Sequence, residues 1–268
     1  MLEPGQASEG EIGRRCGGEA DCDPCPLRAI VLGPVRDAQA LQRLDQRTSI
    51  QSYERDALVV ASGARQRELS VVARGVLRLT RSFADGRRQI TDFLYPGDLV
   101  CHGDAQAVMS ADVEAVVPSL LCSLSAPALE QARGDDPTID QRLLAVLQDR
   151  LERAQSHIST LGIRGPLGRL AAFLLDMDRR CSGDREPDDA MPIPMRRGEI
   201  ADYLGLQTET VSRAFSKLVA LDTIALPRPT AVVLLRRNVL QGLTDGLTVS
   251  EVRQPSRSVP SEEPCRAA

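Results

Sequence analysis

The sequence predicts an α+β protein built as an antiparallel β-roll, a long helix and a winged helix-turn-helix, in that order. Three observations predict it. Apolar residues alternate between turn signals over 48–125, an apolar stripe near heptad spacing follows Pro137, and 196–221 reads RRGEIADYLGLQTETVSRAFSKLVAL.

The bulk numbers set the frame. A chain of 268 residues has room for one large or two ordinary domains, and 42% hydrophobic with 26% charged residues is ordinary for a globular protein. No apolar run is long enough to span a bilayer, and the acidic N-terminus lacks an apolar signal segment. No membrane partner is expected, and a cytoplasmic location is. The two histidines, His102 and His157, cannot be assembled into a Ser-His-Asp or carboxylate–histidine set, so no enzyme is expected. A net charge of −4 argues weakly against nucleic acid, but its distribution is polar. Over 191–240 seven basic residues face four acidic ones, a local +3, while the first thirty residues carry six acids against three arginines.

In chain order, residues 1–28 form a polar arm, expected to be disordered, that carries Cys16, Cys22 and Cys25. A short helical pattern follows over 37–44. A β-roll domain is expected over 29–135. Within it Leu69 and Val71, Val76 and Leu79, and Ile90 and Phe93 mark short strands. Ser62-Gly63, Arg74-Gly75, Asp85-Gly86 and Pro96-Gly97-Asp98 mark the turns between them. Over 136–163 Ile139, Leu143, Leu147, Leu151, Ala154, Ile158 and Leu161 recur at spacings of three and four. That predicts one helix of about 25 residues, roughly 38 Å long. The stripe suits either a parallel dimer seam or packing on its own roll.

The DNA-binding module is expected over 164–244, beginning with a helix over 167–180. In the helix-turn-helix, Ile200, Ala201 and Leu204 face Val211, Phe215 and Leu218, with a turn at Gly205. Glu209, Ser212, Arg213 and Ser216 fall on the opposite face of the second helix. Arg pairs with guanine, Glu with the cytosine amino group and Ser with either partner, so this face can read base edges. A generic helical hairpin with a solvated outer face fits the same pattern. Residues 226–236 suit a small β-hairpin, a wing, and 245–268 is expected to be a disordered tail.

Roll, long helix and winged module in this order resemble the bacterial Crp/Fnr transcription regulators, over roughly residues 16–240. IADYLGLQTETVSRAFSKL carries the resemblance most specifically, with DGRRQI and PGDLV in support. The resemblance implies a cyclic-nucleotide-binding-like β-roll and a homodimer that binds double-stranded DNA. It also implies contact with RNA polymerase and a palindromic operator whose half-sites lie about 34 Å apart. In the Fnr-like branch the residues matching Glu209, Ser212 and Arg213 read a TTGA-type half-site, with Ser216 and Lys217 on the same face. Gln207 and Thr208 stand where that branch usually has Thr-Val. Thr208 is expected to cap the recognition helix.

Family members that bind cyclic nucleotides use a Glu and an Arg around the phosphate. Here no Lys or Arg occurs between Arg88 and Arg133, so no cyclic nucleotide is expected. Fnr-type regulators instead hold an oxygen-sensing [4Fe–4S] cluster with three arm cysteines and a fourth near the end of the roll. The matching set is Cys16, Cys22, Cys25 and Cys122, with Cys101 as an alternative fourth ligand. This chain lacks the branch's usual third cysteine after the C-x-x-C and offers Cys16 upstream, across Gly17-Gly18. Zinc on the same thiolates is the chemical rival. A cluster-free regulator answering to thiol redox, a haem-bound gas or another small ligand is the alternative function. His157 is expected on a solvated surface.

Overall fold

A computed structural model describes residues 14–15, 25–33, 44, 47–102, 108–181 and 189–253. Cys16, Cys22 and most of the 37–44 pattern lie outside them. The chain forms two compact units, 1–158 with 194–205, and 159–193 with 206–268.

The first unit holds two antiparallel sheets. One orders its strands β1 (Arg14–Arg15), β2 (Thr48–Tyr53), β9 (Ser119–Leu124), β4 (Leu69–Arg74) and β7 (Leu99–His102). The other orders β3 (Leu58–Val60), β8 (Asp112–Ala115), β5 (Leu77–Ser82) and β6 (Arg88–Leu94). Side chains alternate across the five-stranded sheet as the pleat requires. Val72, Val100 and Leu121 join Leu77, Leu79, Leu94 and Val113 in one core. Leu69, Val71, Leu99, Cys122 and Leu124 belong to a second core, shared with helices. The Asp85-Gly86 turn expected between β5 and β6 is present, with Gly86 at φ 82° donating its N–H to Phe83 at 2.9 Å.

Among the described residues, α1 (Pro26–Leu32), α2 (Ala126–Asp135) and α3 (Ile139–Gly162) cover the second core. Helix α1 corrects the expectation for the arm. Pro26 at its first position and Gly33 past its end bound a real helix. Cys25, Leu27 and Val31 are buried in it. Fully burying an aliphatic side chain contributes roughly 1.5–3 kcal/mol, which fastens these seven residues to the sheet.

Helix α3 spans 24 residues. Ile139 and Leu143 are buried in the second core, so its first turns pack on the roll. Beyond them Leu144, Leu147, Leu151 and Ile158 are exposed by 55%, 37%, 59% and 69%. Their spacings of 3, 4 and 7 make an exposed apolar row that keeps Leu147, Leu151 and Ile158 of the stripe read from the sequence and adds Leu144.

In the second unit α4 (Pro166–Arg180) packs on α6 (Thr208–Ala220) and α7 (Arg237–Thr244). Gly168 permits this approach, since a Cβ there would lie 2.6 Å from the Leu243 carbonyl. A three-stranded sheet of β10 (Met191–Pro192), β12 (Ala231–Leu234) and β11 (Ile224–Arg228) supplies the expected wing. Helix α8 (Val249–Arg253) falls inside the segment expected to be disordered, which is a second correction.

Candidate thiol pair and nucleic-acid interface

Cys25 stands at the N-cap of α1, where backbone N–H groups point outward without carbonyl partners. Cys122 sits mid-strand on β9, paired with Ile50 on one side and Val71 on the other. Its place in the pleat turns it to the helical side of the sheet, so the two thiols meet in one core. They are hydrogen-bonded, and that bond lowers the Cys25 thiol to about 6. Burial opposes the shift, while the N–H groups of Arg28 and Leu27 and the Arg28 charge assist it. A thiolate is the form that ligates metal and reacts with oxidants.

Cys101 does not join them. It belongs to the core between the sheets, its Sγ lies 3.9 Å from Met109 Sδ, and burial pushes its thiol up to about 11. That environment favours the neutral thiol, a poor ligand. Two of the four thiols expected for a cluster are therefore in contact, while Cys16 and Cys22 lie outside the described residues. Among the described residues no group of three His, Cys, Asp or Glu side chains is placed to hold a metal ion. The donor type and the lowered Cys25 thiol fit an iron–sulfur group at these two positions.

The other end of α1 is tied to the long helix. Arg142 of α3 donates from Nε to the Ile30 carbonyl at 2.7 Å and from Nη2 to the Val31 carbonyl at 2.9 Å. Those carbonyls belong to the last turn of α1, where a cation also meets the negative end of the helix dipole. Asp136 holds the same guanidinium at 2.7 Å. Arg142 was not singled out from the sequence, because an arginine on an amphipathic helix reads as solvated.

On α6, Val211, Phe215 and Leu218 are buried. Thr208, Glu209, Ser212, Arg213, Ser216 and Lys217 are all exposed, as the reading of the outer face requires. The hydroxyls of Ser212 and Ser216 donate to the carbonyls four residues back, at 3.0 and 3.1 Å, leaving their lone pairs outward as acceptors. Thr208 is not the cap: Gln207 is the N-cap residue, and no side chain bonds the first N–H groups. Helix α5 (Arg197–Leu204) ends at Gly205, whose left-handed conformation (φ 61°, ψ 43°) a glycine adopts without penalty. Gly205, Leu206 and Gln207 then connect it to α6.

His157 also departs from expectation. Its ring stacks on Tyr203 at a centroid distance of 3.8 Å and an angle of 11°, and its Nδ1 is buried. Helical periodicity places His157 off the apolar stripe but does not say what packs there.

A sensor-like roll, a long helix and an exposed, hydrogen-bonding recognition helix with a wing define a DNA-binding regulator. Residues 50–136 match the cyclic nucleotide-binding domain model and residues 168–243 the Crp-like helix-turn-helix domain model. The transcriptional activator protein FnrL of Cereibacter sphaeroides is 34% identical over 209 residues, covering 76% of this chain and 84% of the relative. An anaerobic regulatory protein of Pasteurella multocida is 26% identical over 224 residues, 81% of each chain. The structure of FixK2 from Bradyrhizobium japonicum superposes with a TM-score of 0.65 at 32% identity, over 73% of this chain and 96% of that one. The chain belongs to the Crp/Fnr family of transcription regulators and is not an enzyme. Among the described residues no helix is long and apolar enough to cross a membrane.

Proposed function

We propose that this regulator senses oxygen or cellular redox state through an iron–sulfur cluster held by Cys16, Cys22, Cys25 and Cys122, and binds a palindromic TTGA-type operator as a homodimer. The observation that carries this reading is the contact between Cys25 and Cys122, with the Cys25 thiol lowered to about 6. The relatives named for anaerobic regulation and for transcriptional activation support it. When bound, a cluster supplies an oxygen-labile crosslink between arm and roll. The chain's own residues carry its state onward. Cys25 fixes the start of α1 against β9, and Arg142 grips the end of α1 from the helix bearing the exposed seam. Loosening α1 frees Arg142 and the first turns of α3, which weakens helix pairing along Leu144, Leu147, Leu151 and Ile158. Two half-sites held together gain effective concentration, so losing the pair releases DNA.

On the operator, Arg213, Glu209 and Ser212 read bases, and Thr208, Ser216 and Lys217 flank them. The roll takes no cyclic nucleotide, since 89–132 contains no cation to hold a phosphate. The regulator works in the cytoplasm with RNA polymerase. Operator binding by Cys25→Ala and Cys122→Ala, compared with and without air, tests this. Both variants are expected to lose the oxygen-dependent difference while keeping a folded DNA-binding domain. Oxygen-responsive binding retained in both overturns the mechanism.

A further inference from the structure

The roll holds more than its own helices, for α5, the first helix of the helix-turn-helix, clusters with the first unit. Its anchor is Arg78 on β5, whose side chain is 12% exposed. The guanidinium donates from Nε to Glu114 Oε2 at 2.9 Å, and its Nη1 faces Asp56 Oδ1 at 3.3 Å. Nη1 also donates to Oε1 of Glu199 on α5. Glu199 is only 7% exposed, and its Oε2 accepts the Arg196 N–H at 2.5 Å. One carboxylate therefore both starts α5 and ties it to the roll.

Neighbouring contacts act in the same direction. Arg196 pairs with Asp56 at 2.8 Å, and the Gln89 amide donates to the Asp202 carbonyl. Tyr203 lies 5.1 Å from Phe93 of β6 and stacks on His157 of α3. Asp56 itself holds a left-handed backbone (φ 64°), a conformation Asp tolerates better than most residues. With Arg88 also on Glu114 at 2.8 Å, three arginines balance three carboxylates. A half-buried charge left without its partner is costly, so the set favours a docked α5.

We propose that Arg78 is a positioning residue for operator binding: through Glu199 it fixes α5 to the sensor roll, and thereby limits the directions α6 can take. Three residues separate the two helices, so a held α5 presents the recognition helix with less conformational freedom to lose on DNA. The proposal rests on α6 being the DNA-reading helix and is independent of the cluster.

Amide hydrogen exchange of the full-length protein, with affinity for a duplex bearing two TTGA half-sites, tests it. Arg78→Ala removes the anchor. Glu199→Gln removes only the charge facing it, since an amide oxygen still accepts the Arg196 N–H. Each is expected to speed exchange over 197–204 about tenfold and weaken operator binding by a similar factor, the double variant being no worse than either single. Exchange in β4 and β9 stays as in the parent. Unchanged exchange over 197–204, unchanged operator affinity, or losses that simply add would overturn the proposal. If Arg78→Ala does not fold, Glu199→Gln decides. If the parent does not bind this duplex, the TTGA assignment is wrong and the exchange measurement decides alone.

Discussion

Gly75 holds the tightest backbone position in the roll. At φ 88° it brings β9 so close that a Cβ would stand 2.3 Å from Ser119 Oγ and 2.7 Å from the Pro118 carbonyl. Both the angle and the space require glycine, so Gly75→Ala is expected to destabilise the protein by about 1–3 kcal/mol in urea unfolding. Unchanged stability would mean that β9 yields there. That glycine was legible as a turn signal, and Cys25 and Cys122 were legible as ligand candidates. Arg142, Arg78 and His157 were not, for one reason. Each lies at a position that local periodicity leaves outward, and only distant segments, α1, α5 and Tyr203, turn it into a contact. The Thr208 cap failed more simply, because the helix begins at Thr208 itself, one residue earlier than a Thr cap requires.

Helix α3 packs on the roll over its first turns and leaves the rest of its apolar row exposed, where the proposed homodimer would pair. Ile139 and Leu143 pack on the roll, while Leu144, Leu147, Leu151 and Ile158 stay open. Leu151→Glu puts a charge in the middle of that seam and leaves the buried turns untouched. It is expected to shift the protein to a monomer in sedimentation and to abolish binding to a two-half-site operator, with little loss of fold. A dimer that survives Leu151→Glu would place the interface elsewhere. Helix α1 was readable in principle from Cys25-Pro26 at its start and Gly33 at its end. Its seven residues are too few to show a helical period, so the sequence there reads as part of a disordered arm. The recognition helix was the most legible element, since its buried and exposed residues separate cleanly at helical spacing.

Across the whole molecule the order of roll, long helix and winged module was legible, because each part has its own period and turn chemistry. The assignment of α5 to the sensor unit was not, since it depends on ion pairs between residues more than a hundred positions apart. In the proposed function the same order sets the direction of control. The arm meets the roll at Cys25 and Cys122, α1 meets α3 at Arg142, and the roll meets α5 at Arg78. Under that proposal control begins with what the cysteines hold. The direct measurement is the visible spectrum, with iron and sulfide content, of protein purified without air. A cluster on these thiolates gives a broad absorption near roughly 400 nm with about four irons and four sulfides per chain, and bleaches on exposure to oxygen. A colourless protein carrying one zinc per chain would contradict it.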